Sequence, residues 1–550
     1  MSLQPSPRRR RRGSNFNLGA EQAEADKKIL RSAFYRSDDY ISIADKDEHH
    51  CFLIARTGSG KSAALQQLEE EFPGHVVRIN PEDLSLPYIT SSRVIQYLDE
   101  LNVSLDPLFS ALWKHVLLVE LIRHRYKVDS PAVKVNVMTA LREKIKRDSG
   151  KRAALDYLEQ FQDRFWDETD QRIKEITEKF EQRIDQEAKG RIGLPGQVSA
   201  TLGKSSGGVS STESRIELAS KFQRIVNETQ MARLNKMIKV LDEDILTNRH
   251  NFTYVVIDDL DRDWVDERLL NGLIRCLLKA VLDLQRNKNL KVIVALRTNI
   301  FEQLDFGHRG GGQEEKFRSL VLRMRWTPVE LEELVGERLR VATADIGPQM
   351  HSIRDVLPRI NRTRGDAFEY MLRRTLMRPR DIIAFLNEAL ANSYGGEQLT
   401  WDDIRNAEEE YSRKRLLALR DEWKTNYPEI DRVFHLFEGV TLPLVQSDFV
   451  HILEQAIAHP SFTIDWLNEL TARVWNYSEG TWVDWYGPLI ALLYNIGFIG
   501  CLTGSRSEFR FAHDSPEFAE RARSLESVTH FTIHPAFQLG LDTRQDNSWR

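Results

Sequence analysis

The residues with the clearest chemical meaning form a short glycine-rich segment that ends in a lysine and a serine. Residues 55–62 have the sequence Ala-Arg-Thr-Gly-Ser-Gly-Lys-Ser, and they follow the apolar run Cys51-Phe52-Leu53-Ile54. Glycines let the backbone turn successive N–H groups inward, which creates an anion site at the start of a helix. The order of strand, loop and helix favours a phosphate-binding loop over a chance Gly-Lys-Ser in a surface loop.

Each residue type of this loop has an expected role. Lys61 is expected to reach the β- and γ-phosphates and to assist catalysis, and the Ser62 hydroxyl is expected to ligate Mg²⁺. Ala55 stands where such loops usually begin with glycine, and we expect it to be tolerated because this position ends the strand. The residues that we assign to nucleotide binding are Thr57, Gly58, Ser59, Gly60, Lys61, Ser62 and Ala63.

The chain contains a second Gly-Lys-Ser, at residues 203–205. Val198 lies where this kind of loop needs its first small residue, no apolar strand precedes it, and the surroundings are rich in Gly and Ser. We interpret this second copy as an ordinary loop.

A nucleotide-hydrolysing site also needs a second apolar strand that ends in acidic residues. Tyr254 to Ile257 has no polar alternation, as expected for a strand that is covered on both faces. Asp258 is the predicted Mg²⁺ ligand, and Asp259 is the predicted general base or water-positioning residue. Asp is one methylene shorter than Glu, and misplacement on that scale costs about a hundredfold in rate. We therefore expect slow turnover.

Two further segments carry polar residues that could sense the γ-phosphate. The apolar run 291–296 is followed by Arg297 and Asn299, and both are candidates. Arg380 follows Pro379, which suits a first helical turn. Arg380 either contacts the γ-phosphate from a helical lid or simply pairs with nearby carboxylates. Three other arginines could act as a finger in a neighbouring subunit or remain solvated at the surface: Arg318, Arg323 and Arg325.

The elements that must position these residues predict an α/β fold. Residues 51–54, 76–79, 254–257 and 291–296 are apolar runs separated by helical stretches. This alternation predicts a three-layer core with a mostly parallel sheet, and the nucleotide is expected beyond the carboxyl ends of the strands.

The stretch between Lys61 and Asp258 is longer than a compact core needs, and we expect a helical insertion there. Ile173, Ile176, Phe180 and Ile184 recur at helical spacing among many Lys and Glu residues. A Gly/Ser-rich break spans Gly190 to Ser211, and the helical pattern resumes from Ile216 to Leu246. This insertion either packs on its own chain or serves as a partner-binding arm.

The C-terminal region predicts a winged-helix-like domain. Residues 489–496 indicate a helix, and residues 498–502 and 508–512 indicate a hairpin. Arg506 and Arg510 on this wing could touch DNA phosphates, but nearby acidic residues weaken the basic character. The same sequence is equally compatible with a winged-helix-like domain that serves as a protein–protein packing surface. The uncharged run 485–503 contains Gly487-Pro488 and predicts a buried helix followed by a strand rather than a membrane span.

From these patterns we predict six segments. They are a basic disordered tail at 1–25, the first part of a P-loop NTPase core at 26–110, a helical insertion at 111–215, the second part of the core at 216–345, a helical lid at 346–430 and a winged-helix-like domain at 431–550.

Composition limits the function further. The net charge is −5 with 29% charged residues, which argues against a globally basic nucleic-acid coat. The run Arg8–Arg12 is either a solvated tail or an anchor to nucleic acid or another polyanion. Cys51, Cys276 and Cys501 are isolated in sequence, which excludes a Cys-rich zinc module and is typical of a reducing cytoplasm. His49-His50 has no further metal-ligand residues at a suitable spacing, and we interpret it as a polar segment that leads into the first strand.

Together these motifs resemble a known group of proteins. Ile257-Asp258-Asp259-Leu260-Asp261-Arg262 is similar to the acidic motif of KAP-type P-loop NTPases, which belong to the STAND and AAA+ neighbourhood. Residues 16–21, Trp326-Thr327 and residues 378–382 also resemble bacterial P-loop ATPases of this group. Such proteins resemble Orc/Cdc6 ATPases in having a helical lid and a winged helix after the core.

The resemblance implies ATP with Mg²⁺ and carries family roles to Lys61, Ser62, Asp258 and Asp259, and also to Asn299 and Arg380. Two departures matter. The transmembrane insert of KAP proteins is missing, so a membrane location is not implied. The second acid is Asp259, where the Orc/Cdc6 pattern has Glu.

Three functions are compatible with the sequence. The favoured one is a Mg²⁺-dependent ATPase switch in bacterial signalling or genome defence, with a homo-oligomer and a partner effector protein as expected partners. The first alternative is a DNA-binding ATPase that loads or remodels complexes on duplex DNA. The second is a nucleotide-gated scaffold that binds ATP without hydrolysing it.

Overall fold

We describe the fold from a computed structural model of the chain. The residues that it describes are 16–81 except 22 and 24, 95, 103–126, 152–153, 156–157, 220–260, 267–302, 304, 317–344, 350–393 except 361, 398–458, 464–476, 479–504 and 508–546. The predicted arginine run at residues 8–12, the helix at 173–184 and the break at 190–211 lie outside these residues.

The strands and helices are numbered in chain order. The strands are β1 (Phe52–Ala55), β2 (Val76–Ile79), β3 (Thr253–Ile257), β4 (Leu290–Arg297), β5 (Val321–Arg323), β6 (Thr441–Leu442), β7 (Leu444–Val445), β8 (Ile499–Thr503), β9 (Val528–Ile533) and β10 (Arg544–Gln545). The helices are α1 (Lys27–Ser32), α2 (Asp38–Ala44), α3 (Lys61–Glu71), α4 (Asp106–Tyr126), α5 (Ala232–Val240), α6 (Glu267–Leu284), α7 (Thr298–Glu302), α8 (Pro328–Ala342), α9 (Ala367–Leu372), α10 (Pro379–Asn392), α11 (Trp401–Trp423), α12 (Ile430–Phe434), α13 (Gln446–Ala458), α14 (Asp465–Leu470), α15 (Ala472–Trp475), α16 (Trp482–Asn495), α17 (Ala522–Glu526) and α18 (Pro535–Gln538).

The chain divides into two compact units, which we describe separately. The sheet unit contains Asp38–Ala55 and Leu68–Arg323. The C-terminal unit contains Met1–Ser37, Arg56–Gln67 and Met324–Arg550. The glycine-rich loop thus belongs to the C-terminal unit, while the strand that precedes it in sequence belongs to the sheet unit.

The sheet unit is built on five parallel strands in the order β2-β3-β4-β1-β5. The fold class is therefore α/β with a parallel central sheet, which confirms the prediction. The central strands β3 and β1 are buried along their whole length, which explains why their sequences show no polar alternation. β5 was not predicted, because it has only three residues, none of them fully buried, at the sheet edge.

Parallel pairing brings the carboxyl ends of these strands to one edge of the sheet. Ala55 pairs with Arg297, and Ile257 pairs with Val294. The residues that follow β3 and β4, including Asp258, Asp259 and Asn299, therefore follow strands that end at this edge.

Helices α4 and α6 pack together in the core of the sheet unit. Trp113 of α4 is fully buried, and its indole N–H donates to the carbonyl oxygen of Leu273 at 2.9 Å. Residues 216–246 were predicted to be helical, and the described part contains α5 between two π-helical turns, Asn227–Met231 and Leu241–Ile245.

The C-terminal unit begins with a cluster of helices around one apolar core. Leu18, near the start of the described chain, packs in this core with residues of α8, α9, α10 and α11. Local sequence sets the helix starts. Thr327 and Glu330 form a reciprocal capping box for α8, and Pro379 occupies the first turn of α10, as predicted.

The last part of the C-terminal unit has a core of its own, with a three-stranded antiparallel sheet in the order β7-β9-β8. Helices α13 and α16 lie between β7 and β8 in sequence, which is the element order of a winged helix. The predicted hairpin is present only as a single antiparallel bridge. β8 pairs along its length with β9, whereas residues 508–512 contribute a single bridge, Cys501 to Arg510.

Cys501 pairs with Arg510 on one edge of β8 and with Phe531 of β9 on the other, so β8 lies between the two segments. The partner that the sequence missed is β9, which lies beyond the next segment in the chain. None of the helices among the described residues is long and apolar enough to cross a bilayer.

Candidate functional site

The glycine-rich loop lies between the end of β1 and the start of α3. Gly58 and Gly60 have φ angles of 83° and 98°, in a region that side-chain-bearing residues rarely adopt. α3 begins at Lys61, so Lys61, Ser62 and Ala63 form its first turn. The first turn of a helix presents N–H groups without intrahelical partners, which favours an anion at this point.

Three successive carbonyl oxygens of this loop accept hydrogen bonds from residues that follow it far along the chain. The Thr57 carbonyl accepts from Arg378 Nη1 at 2.8 Å, and the Ser59 carbonyl accepts from the indole Nε1 of Trp326 at 2.8 Å. Between them, the Gly58 carbonyl accepts from the backbone N–H of Arg380 at 3.3 Å.

These bonds fix the orientation of the loop peptides. In a trans peptide the carbonyl and the following N–H point in opposite directions. The N–H groups of Gly58 and Gly60 therefore face away from Arg378 and Trp326. The intervening N–H, that of Ser59, donates to the Arg56 carbonyl at 3.2 Å, which closes a tight turn.

The predicted phosphate ligands lie within this framework. Lys61 Nζ donates to the Arg56 carbonyl at 3.4 Å, so the ammonium group is held over the loop. Ser62 is half-buried one residue further along α3. The hydroxyl oxygen of Thr57 is buried without a hydrogen-bond partner among the described residues.

Arg380 lies directly against the loop. A Cβ atom added to Gly58 would lie 2.9 Å from the Arg380 Cβ, so the arginine stem fills the space that the glycine leaves. Its Nε donates to the Glu21 carbonyl at 3.3 Å. Burial lowers the pKa of the Arg380 guanidinium, and the neighbouring Arg378 adds to that effect. The structure thus brings this predicted residue to the loop.

Arg378 and Glu422 also contact this loop. Arg378 lies in the motif at residues 378–382, but neither residue was predicted to hold the loop. Arg378 is 5% exposed and bonds to Thr57, Glu422 and Asp381. Burial opposes its charge, but Asp381 and Glu422 outweigh burial and hold the pKa of the Arg378 guanidinium above its usual value. Met377, just before it, has a strained φ of 52°.

The two carboxylates of this cluster are held in their charged form. Burial by itself would raise their pKa values, but Arg378 and Arg415 keep the pKa of Asp381 well below its usual range. Arg56 and Arg378 do the same for Glu422. Burial lowers the pKa of Arg56 itself, which Glu422 partly opposes.

In the sheet unit, the predicted acids follow β3. Asp258 is 4% exposed, and its Oδ2 accepts from Arg78 Nη2 of β2 at 3.4 Å. Asp259 has a φ of 58°, which is rare for residues other than glycine. Asn and Asp are enriched in this left-handed region, so the backbone itself favours Asp over Glu at this position.

The other predicted polar residues lie near the same sheet edge or at the surface. Asn299, in the first turn of α7, is half-buried, as is Arg297 at the end of β4. Of the finger candidates, Arg323 lies over the ring of Phe301 at 5.6 Å, and Arg318 is exposed. Arg325 is also exposed.

Glu48, His49 and His50 lie together before β1, and each offers a ligand atom within 4.8 Å of the others. Glu48 Oε1 lies 2.6 Å from His49 Nδ1 and 3.2 Å from His50 Nδ1. The interpretation of these histidines as polar residues that lead into the first strand stays a prediction.

Of the two predicted wing residues, the structure describes Arg510, which is half-buried. Arg510 has its guanidinium 5.1 Å from the ring of Phe518, and its Nε is buried. Arg510 therefore packs within the domain. Arg506 lies outside the described residues.

The chain is similar to several known proteins and to one family model. Residues 329–420, from α8 to most of α11, match the family model of the FunZ-associated C-terminal helical domain. Over 547 residues the chain is 22% identical to the putative transposon gamma-delta 80.3 kDa protein of Escherichia coli (strain K12), which covers 96% of this chain and 67% of that protein. The crystal structure of Cdc6p from Pyrobaculum aerophilum aligns with 91% of this chain and 99% of that chain, at 13% identity and a TM-score of 0.28, too low to carry an argument.

Proposed function

We propose that the loop from Thr57 to Ala63 binds the phosphates of ATP and that the chain hydrolyses ATP slowly with Mg²⁺. The observation that carries this proposal is the set of three anchored carbonyls at Thr57, Gly58 and Ser59. They turn the N–H groups of Gly58 and Gly60 to one side, next to the amino end of α3, as an anion site requires. Lys61 supplies the positive charge that the terminal phosphates need.

The donor types fit Mg²⁺. Ser62 offers a hydroxyl and Asp258 a buried carboxylate, and Mg²⁺ prefers such hard oxygen ligands. When bound, Mg²⁺ would neutralise charge on the β- and γ-phosphates. In this proposal Asp259 orients the attacking water and Asn299 and Arg380 sense the γ-phosphate. The strained backbone of Asp259 supports a functional role, because such strain persists only where the surroundings enforce it.

In the favoured form of this proposal the protein is a switch. Arg378 and Arg380, which hold the loop, belong to the start of α10, so ATP binding would bias the helical lid and the winged-helix-like domain. Bacterial signalling or genome defence, a cytoplasmic location, a homo-oligomer and a partner effector complete the proposal. They rest on the motif resemblance stated above.

A DNA-binding ATPase is the second candidate. Two observations favour it: the winged-helix order of β7-β9-β8 with α13 and α16, and the similarity to a protein whose name assigns it to a transposon. The internal packing of Arg510 weakens it.

The test is phosphate release from ATP by the purified protein, together with direct ATP binding. Wild type should bind ATP and release phosphate slowly, Lys61→Ala should lose binding, and Asp259→Ala should bind but lose turnover. Lys204→Ala, in the second Gly-Lys-Ser, is the matched control and should behave as wild type. ATP binding that survives Lys61→Ala would overturn the proposed site.

Duplex DNA and the salt dependence of binding separate the alternatives. Stimulation of turnover by DNA, with a steep salt slope for DNA affinity, would place the DNA-binding ATPase first. Tight ATP binding without turnover would favour the nucleotide-gated scaffold.

A further inference from the structure

A buried ionic cluster connects the start of the glycine-rich loop with two helices of the C-terminal unit. Arg378, at the start of α10, donates to the Thr57 carbonyl at 2.8 Å and to Glu422 Oε2 at 3.0 Å. Its Nε donates to Asp381 Oδ2 at 3.0 Å. One guanidinium therefore joins the loop, α10 and α11 in a single plane of donors.

Glu422, near the end of α11, contacts the loop from the same cluster. Its Oε1 accepts from the Thr57 backbone N–H and from Arg56 Nε, both at 3.4 Å. Its Oε2 accepts from Arg56 Nη2 at 3.4 Å. Thr57 is thus held on both sides, with its carbonyl on Arg378 and its N–H on Glu422.

The far end of this arrangement reaches the winged-helix-like domain. On α11, the Ser412 hydroxyl accepts from the Gly540 N–H at 2.9 Å. A Cβ atom added to Gly540 would lie 3.2 Å from the Ser412 backbone carbon, so the two segments are in close contact. Similarly, a Cβ atom added to Gly497, just before β8, would lie 3.0 Å from Arg56 Nη1.

A charged donor on a peptide carbonyl also affects the other end of that peptide. Hydrogen bonds polarise one another, so the positive charge of Arg378 on the Thr57 carbonyl strengthens the adjoining Gly58 N–H as a donor. A ligand with negative charge on Gly58 would in turn strengthen the bond to Arg378. Such mutual strengthening is reciprocal by thermodynamic necessity.

We propose that Arg378 and Glu422 are positioning residues that set the shape of the phosphate-binding loop and link phosphate binding to the C-terminal domain. They act on the loop through Thr57 and Arg56. Helix α11 then carries the effect of phosphate binding from Glu422 to Ser412 and Gly540. This inference rests on the proposed function, because it takes the loop to be the ATP site.

The experiment measures two quantities, ATP affinity and the ATP-dependent hydrogen exchange of residues 497–504 and 528–541. Glu422→Gln keeps the shape of the side chain and removes its charge. It should bind ATP about tenfold more weakly, and ATP should no longer change exchange in the two segments. Glu409→Gln is the matched control, since Glu409 lies on the same helix with a side chain 59% exposed, paired with Arg413. It should match wild type in both measurements.

A second variant approaches the coupling from its far end and does not disturb the buried charges. Ser412→Ala removes only the acceptor for Gly540, and Ser412 is not among the loop contacts described above. We expect its ATP affinity to fall about fivefold. If Glu422→Gln fails to fold, as thermal unfolding would report, Ser412→Ala alone decides the outcome.

The outcomes separate this inference from the proposed function. If the wild type binds no ATP, the proposed function fails and the inference fails with it. If the wild type binds ATP, while folded Glu422→Gln and Ser412→Ala keep its affinity and its exchange response, only the inference is overturned. A structural role alone would lower thermal stability without removing the exchange response.

Discussion

Arg378 donates a 2.8 Å hydrogen bond to the carbonyl oxygen of Thr57, although 321 positions of sequence separate the two residues. The guanidinium also bonds to Glu422 and Asp381, so it has no freedom to leave the loop without breaking buried ion pairs. Removing one partner of such a pair is strongly destabilising, because the other charge remains buried. The conformation of the loop therefore depends on α10 and α11 as well as on its own glycines.

The two loop glycines give the first prediction. Gly58→Ala and Gly60→Ala should both weaken ATP binding, because a side chain at positive φ costs about 1–2 kcal/mol. Gly58→Ala should be the more severe, since its new Cβ would also lie 2.9 Å from the Arg380 Cβ, whereas the nearest atom to a Cβ at Gly60 is 3.7 Å away. Titration with a fluorescent ATP analogue measures the affinity of each variant.

Gly74→Ala is the control for this pair. Gly74 has a similar φ of 79°, and a Cβ atom there would meet nothing within 4 Å. It should lose about 1 kcal/mol of stability with unchanged ATP affinity. Equal loss of ATP affinity in all three variants would show that general strain, not loop geometry, is being measured.

Asp259 gives the second prediction, because its strain and its chemistry can be separated. Asp259→Asn should fold as well as wild type, since Asn also tolerates left-handed φ, but should lose turnover. Asp259→Gly should lose turnover too, and relief of the strain should raise stability by about 1 kcal/mol. Turnover assays and thermal unfolding distinguish the two effects. An active Asp259→Asn would remove this residue from the proposed chemistry.

Acid sensitivity of the C-terminal domain is the third prediction. His534 is fully buried, and its Nδ1 accepts from the Ala536 N–H, so it caps α18 in the neutral form. Burial lowers its pKa well below the usual value, and His513, whose own pKa burial also lowers, adds to the effect.

The sign of the pH effect follows from these shifts. Below the usual histidine pKa of about 6.5 the unfolded chain binds protons that the folded chain does not, so stability falls as pH falls, by at most about 1.4 kcal/mol per pH unit per histidine. Asn is a good helix cap, so His534→Asn should keep the cap. The unfolding free energy of this variant should fall less between pH 7 and pH 5 than that of the wild type. The exposed His451 offers the control His451→Asn, whose profile should follow wild type. An unchanged slope in His534→Asn would refute the assignment.

The cysteines give the fourth prediction. Cys51, Cys276 and Cys501 are free and fully buried. Burial raises the pKa of Cys51 to about 12 and that of Cys276 to about 11, and it also raises the pKa of Cys501. The thiolate is the reactive form of cysteine. A disulfide reagent at pH 8 should therefore label the native protein only at the rate at which local unfolding exposes these thiols. Rapid stoichiometric labelling without denaturant would contradict these buried positions.

Much of the α/β fold could be predicted from sequence because its signals are local. β1, β3 and β4 are apolar runs buried on both faces, and such runs are recognisable without any knowledge of their neighbours. The glycine-rich loop is equally local. Gly58 and Gly60 must be glycine to adopt their φ angles, and Lys61 and Ser62 follow at fixed spacing. The roles given to these residues stay predictions.

Strand partners and weak elements could not be predicted with the same success. β8 was paired only with the next segment in sequence, which contributes a single bridge at Arg510, whereas β9 pairs with β8 along its length. β5 has too few residues for a sequence pattern. In both cases the element depends on pairing with a segment that is distant in sequence, which a local pattern does not reveal.

The sequence alone determined strands β1 to β4, the loop and the acids that follow β3, since each depends on adjacent residues. Only the tertiary structure decided that Arg378 and Glu422 hold the loop. In sequence Arg378 belongs to the motif at residues 378–382 and Glu422 to a charged helical stretch, and neither position indicates a contact with the loop. Folding buries them beside Thr57 and Arg56, and burial makes their pairing obligatory because an unpaired charge in the interior is too costly.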